Sequence, residues 1–77
     1  MGNLKAKLVI TNQLHVLRAE KKITQQELAD IVGVTRATVN ALEKGNYNPS
    51  LELAFRLSMY FEKSIHDLFR VEDYHEF

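Results

Sequence analysis

Seventy-seven residues with ten Lys/Arg, ten Asp/Glu, no cysteine and a net charge of zero leave room for one small domain, which buries a modest share of its surface and gains from self-association. The missing cysteines exclude a disulfide framework and a thiolate metal site; no run reaches the ~20 apolar residues of a membrane span, and Leu8-Val9-Ile10 is too short for a signal-peptide core, so the chain reads as soluble and cytoplasmic. The neutral total hides an asymmetry: residues 1–48 carry seven bases against four acids and residues 49–77 three against six, so the first half suits approach to phosphate and the second suits facing away from it.

In chain order, Lys5–Ile10 comes first, where the β-branched Val9 and Ile10 leave room for a short strand. Asn12 to about Lys21 fits a helix with Leu14 and Leu17 on one face. A second helix opens at Thr24, whose hydroxyl caps it, and Glu27 three residues on completes a capping box. Leu28, Ala29 and Val32 form its inner face and Gly33 stops it. Thr35 is the N-cap of a third helix that ends at Lys44, with Gly45 just beyond and Val39 and Leu42 on the core side. Asn46-Tyr47-Asn48-Pro49 is a loop. Ser50 caps a fourth helix carrying Leu51, Ala54, Phe55, Leu57 and Ser58 to about Phe61. Ser64, with Asp67 three residues on, starts a short fifth helix through Leu68 and Phe69. The tail Arg70–Phe77 has no clear period. Repeats, linkers and low-complexity segments are absent from the sequence.

The pair of helices joined by Gly33-Val34 is the informative part. A helix-turn-helix needs a small residue where its two helices cross, and Ala29 supplies it. The turn needs a residue that tolerates positive φ, and Gly33 supplies that. Apolar residues must close the two helices and the turn on each other, and Leu28, Val32, Val34, Val39 and Leu42 stand in those places. Seven constrained positions are filled within residues 25–44, which a helical hairpin of unrelated purpose would rarely match.

The residues Leu17-Arg18, Ile23-Thr24-Gln25-Gln26-Glu27-Leu28-Ala29, Gly33-Val34-Thr35-Arg36, Val39, Leu42-Glu43-Lys44-Gly45 and Asn48-Pro49-Ser50-Leu51 together resemble the Xre family of Cro/repressor-type helix-turn-helix regulators, over about Asn12 to Phe69. The resemblance implies an all-α, five-helix, lambda-repressor-like DNA-binding domain spanning 1–77, with a core at 12–69. Its third helix is expected in the major groove and its second across the DNA backbone. It implies that Gln25 and Thr35 contact phosphate and that Arg36, Ala37, Asn40 and Ala41 face the bases. Arg36 suits bidentate pairing with guanine, Asn40 suits adenine and Ala37 suits a thymine methyl. Thr38 is expected at a base or a phosphate, and Lys44, Asn46 and Tyr47 at phosphate. Arg18 and Glu43 match a family ion pair that ties the first helix to the third. Lys22 departs from the pattern, standing where relatives often carry glycine. Ala37 and Ala41 replace polar reading residues, which shifts weight towards readout of DNA shape.

The remaining candidates are weaker. His15, His66 and His75 lack partners at metal-ligand spacing and read as surface residues. Among the aromatic and aliphatic residues near the end, Tyr60, Phe61, Ile65, Leu68 and Phe69 fit either core or a dimer seam. No carboxylate pair, nucleophile triad or phosphate loop points to an enzyme, and no cofactor is implied. The expected function is a sequence-specific regulator of double-stranded DNA, a homodimeric repressor on a palindromic operator, with the dimer contact at the fifth helix and the chain termini. One version of that contact pairs Leu8–Ile10 with the tail near Val71 as strands. The alternative is an antitoxin or protein-interaction adaptor built on the same fold.

Overall fold

The computed structural model describes residues 8–73. Lys5, Lys7 and His75, together with the outer parts of both terminal segments, lie outside those residues. The elements run β1 (Val9–Asn12), α1 (Leu14–Glu20), α2 (Gln25–Val32), α3 (Arg36–Glu43), α4 (Leu51–Phe61), α5 (Ile65–Leu68) and β2 (Phe69–Asp73).

Side-chain hydroxyls set four of the five helix starts. Thr24, Thr35, Ser50 and Ser64 each accept the backbone N–H three residues on, from Glu27, Thr38, Leu53 and Asp67, which supplies a partner the helix ladder cannot. At Thr24 the box is complete, with Glu27 Oε1 accepting the Thr24 N–H at 3.0 Å. The first helix uses an amide instead. Asn12 Oδ1 accepts the Leu14 N–H at 3.1 Å while its Nδ2 donates to the Leu42 carbonyl at 2.7 Å. One side chain thus starts α1 and ties it to the last turn of α3.

The turn between α2 and α3 follows from Gly33. Its φ of 79° is left-handed, and its N–H and that of Val34 both donate to the Ala29 carbonyl, at 2.9 and 3.0 Å. A Cβ there would stand 3.2 Å from Arg56 Nη1. That guanidinium donates to the Val32 carbonyl at 3.2 Å, placing a cation where the helix dipole favours one. Lys22 also holds a left-handed φ, 56°, and accounts for the departure from glycine noted in the sequence: a side chain stands where the turn would be easier without one.

The core joins Leu14 from α1, Leu28, Ala29 and Val32 from α2, Val39 and Leu42 from α3, Leu53, Leu57 and Phe61 from α4, and Leu68 from α5, with Leu17, Ile23, Val34, Tyr60 and Phe69 packed around it. Phe61 and Leu68 are therefore core residues and are withdrawn from any dimer seam. The fourth helix divides its apolar residues between two faces. Leu53, Ala54, Leu57 and Phe61 point inward, while Leu51 and Phe55 are exposed.

The expected terminal strand has its partner within the same chain. β1 pairs antiparallel with β2, Ile10 opposite Val71 and Asn12 opposite Phe69, with an irregularity between Val9 and Ile10. Phe69 ends the fifth helix one residue earlier than expected because it opens this ladder. The notion that these strands join two subunits is corrected: the backbone partners of Ile10, Thr11 and Asn12 are supplied internally.

Candidate nucleic-acid interface

The site is built where the start of α2 meets the outer face of α3. Gln25 and Gln26 are the first two residues of α2, so their backbone N–H groups precede the intrahelical ladder and face outward with the positive end of the helix dipole. Across from them, Arg36 and Ala37 are exposed and Asn40 half-buried on α3. A shallow depression of about 360 Å³ is lined by Gln25, Arg36, Ala37 and Asn40. A neighbouring one is lined by Arg18, Thr24, Gln25, Gln26 and Arg36. Gln25 and Arg36 are common to both.

A polar network underlies this surface. Arg18 Nε donates to Glu43 Oε2 at 2.7 Å and Nη2 to Oε1 at 3.1 Å, while Nη1 donates to the Ile23 carbonyl at 3.0 Å. Gln25 Nε2 donates to Glu43 Oε1 at 2.9 Å and, at the long distance of 3.4 Å, to Asn40 Oδ1. Burial pushes the Glu43 carboxyl up, but the hydrogen bonds from Arg18 and then Gln25, with the charges of Arg18 and His15, outweigh it and hold it below the usual carboxylate range. The hydrogen bond to Glu43 in turn raises Arg18. An acid at this place would repel an approaching anion; here its charge is held by a guanidinium and an amide.

The other sequence candidates fall in a band around this centre. Thr35 Oγ1 lies 3.0 Å from Thr38 Oγ1 and accepts the Thr38 N–H at 3.2 Å, so both hydroxyls are engaged at the cap of α3. Ala41 is half-buried one turn beyond Ala37. Lys44, Asn46 and Tyr47 are exposed at the end of α3 and in the loop after it, and the Asn46 N–H donates to the Ala41 carbonyl at 3.0 Å. Sequence reasoning named Thr24 only as a cap and passed over Gln26. Both line the second depression, and their place at a helix N-terminus was the available signal. His15 and His66 are exposed, and no cluster of potential metal ligands occurs among the described residues.

A family model described as helix-turn-helix matches residues 14–68. The chain belongs to the Xre-type helix-turn-helix family. An HTH-type transcriptional regulator of Methanocaldococcus jannaschii is 47% identical over 62 residues, which cover 80% of this chain and 94% of that one. The cryptic phage CTXphi transcriptional repressor RstR of Vibrio cholerae is 32% identical over 60 residues, 78% of this chain and 54% of its own length. Among solved structures, the restriction-modification controller protein C.AhdI of Aeromonas hydrophila superposes with a TM-score of 0.64 at 29% identity, covering 71% of this chain and 80% of that one. This Xre-type chain is thus a transcriptional regulator with a helix-turn-helix DNA-binding domain and the five-helix repressor fold. No helix among the described residues is long and apolar enough to cross a membrane.

Proposed function

We propose that this regulator represses transcription by binding a palindromic DNA operator as a homodimer. The observation that carries the reading is the outer face of α3, with Arg36 and Ala37 exposed and Asn40 beside them, facing Gln25 at the N-terminus of α2. Eight residues of helix are about 12 Å long, and the major groove of B-DNA is about 12 Å wide. Arg36 reads guanine, Asn40 reads adenine and Ala37 packs on a thymine methyl. Gln25, Thr35, Thr38, Lys44, Asn46 and Tyr47 contact the flanking phosphates, and Ala41 lets the backbone approach. Gln25 has a second task, since the same amide donates to Glu43.

A single module of this size covers only about 600–1,000 Å² of DNA-facing surface. Two modules on a two-fold axis read half-sites about 34 Å apart. Repression follows from occlusion, which needs no activating surface, and the resemblance to the phage repressor RstR supports it. Selecting bound duplexes from a random library tests the reading. A palindromic consensus with steep salt dependence is expected; absence of enrichment at low salt overturns it.

A further inference from the structure

Three large apolar side chains stand on the outer face of α4 at intervals of four residues: Leu51 is 70% exposed, Phe55 52% and Met59 77%. A step of four residues advances only about 40° around a helix, so they form one stripe about 12 Å long. The stripe lies well round the helix from the inward residues Leu53, Leu57 and Phe61. Elsewhere the large exposed hydrophobic residues of the described chain, Val9, Val16, Ile31, Tyr47 and Val71, are spread over β1, α1, α2, the loop before α4 and β2.

We infer that the α4 stripe is the self-association face of this regulator, packing antiparallel on the same stripe of a second copy across a two-fold axis through Phe55. The inference rests on the dimeric reading above and names the surface that reading needs. Two observations favour a second copy as the occupant. First, the stripe is self-complementary. With Phe55 on the axis it meets the partner's Phe55, and Leu51 meets the partner's Met59, as an isologous contact demands. The flank is self-complementary as well. Glu52 and Arg56 lie on one side of the stripe, where they pair with each other at 2.8 Å. An antiparallel partner brings that same flank alongside in reverse, so each Glu52 faces the partner's Arg56. Second, the area suffices. Three side chains this exposed open roughly 400 Å² of apolar surface, within the range of the largest patch a monomer shows. Doubled across the axis and widened by the charged flank, the contact reaches roughly 1,200 Å², the lower bound of a stable specific interface. The core residues Phe61 and Leu68 play no part in it.

The test is sedimentation velocity on the full chain and on Phe55→Glu, with helical circular dichroism as the check on folding. The wild type is expected as a dimer, and Phe55→Glu as a folded monomer whose dimer dissociation constant has risen about 30-fold or more. Glu52→Arg, which sets a second cation beside the partner's Arg56 and leaves the bond from Arg56 to the Val32 carbonyl in place, should weaken the dimer. Because the chain has no cysteine, Phe55→Cys adds a single thiol near the axis. It should oxidise to a covalent dimer, while Val16→Cys on α1 should not. A wild type that stays monomeric well above its DNA dissociation constant overturns this inference and the dimeric reading together. A dimeric wild type whose Phe55→Glu variant is equally dimeric overturns the α4 seam and leaves the dimeric reading standing. A stripe that binds an unrelated protein while the chain stays monomeric also overturns it.

Discussion

Arg18 grips Glu43 through two parallel hydrogen bonds, Nε to Oε2 at 2.7 Å and Nη2 to Oε1 at 3.1 Å, across 25 residues of sequence. The pair joins α1 to the last turn of α3 with geometric precision that a lysine could not reproduce. Glu43 is 8% exposed and Arg18 21%, so the desolvation is nearly complete on one side only. Removing one partner of a fully buried pair costs about 3–5 kcal/mol; with Arg18 one-fifth open and still bonded to the Ile23 carbonyl, Glu43→Ala should cost about 2–3 kcal/mol. Urea unfolding of the two proteins at neutral pH measures it. A loss under half a kilocalorie would show the pair to be incidental.

The same pair sets an acid limit. A carboxylate whose pKa is depressed in the fold contributes stability in full above its unfolded value, about 4.3 for Glu, and loses it as pH falls through the lower folded value. Glu43 is of this kind. The stability gap between the wild type and Glu43→Gln should stay level from about pH 6 to pH 5 and narrow towards about pH 3. Denaturant melts at those pH values check it, and a gap that widens on acidification would contradict the assignment.

Lys22 holds a left-handed φ of 56°. A residue with a Cβ is strained there by about 1–2 kcal/mol, and glycine loses about 0.5–1 kcal/mol to its freedom in the unfolded chain. Lys22→Gly should therefore stabilise the fold by about half a kilocalorie to one, raising the melting temperature by a few degrees. The change also removes a cation two residues before the Thr24 cap of α2, so its effect on DNA affinity reads separately whether that cation touches phosphate.

Arg36 and Gln25 should fail differently. Arg36→Ala should cost about 1–3 kcal/mol on the selected operator and relax preference at one base position, whereas a phosphate contact weakens binding evenly across sequences. Gln25→Ala should do the latter, and it should also lower stability modestly because Glu43 loses a donor. Titrations on the operator and on single-base variants separate the two patterns. Two variants with wild-type binding would remove α3 from the interface.

Much of this was legible in the sequence because local chemistry determined it. Thr24, Thr35, Ser50 and Ser64 announce helix starts through hydroxyls that reach only three residues on. Gly33 marks a turn that few other residues tolerate. The central α2–α3 surface was legible for the same reason, since it is contiguous in sequence. What the sequence hid was long-range. Asn12 binds the Leu42 carbonyl, and nothing near Asn12 points to a residue 30 positions away. The strand pairing of Ile10 with Val71 could be read as easily between chains as within one. The fourth helix was legible as a helix but not in its phase, because apolar residues occupy both its core face and the Leu51–Phe55–Met59 stripe.

The β1–β2 ladder closes most of the described chain into a ring, with Thr11 Oγ1 donating to Glu72 at 3.0 Å across 61 residues. Every helix lies inside that ring, and the α2–α3 helix-turn-helix lies near its middle. Helices of this kind form from neighbours, while a ladder between distant segments must wait for the bundle to bring them together. The clasp is thus the part whose amides should exchange first when the native protein opens locally. A chain so arranged can loosen at the outer rungs of its seam while Asn12, at the inner end of β1, keeps its hold on α1 and on the last turn of α3.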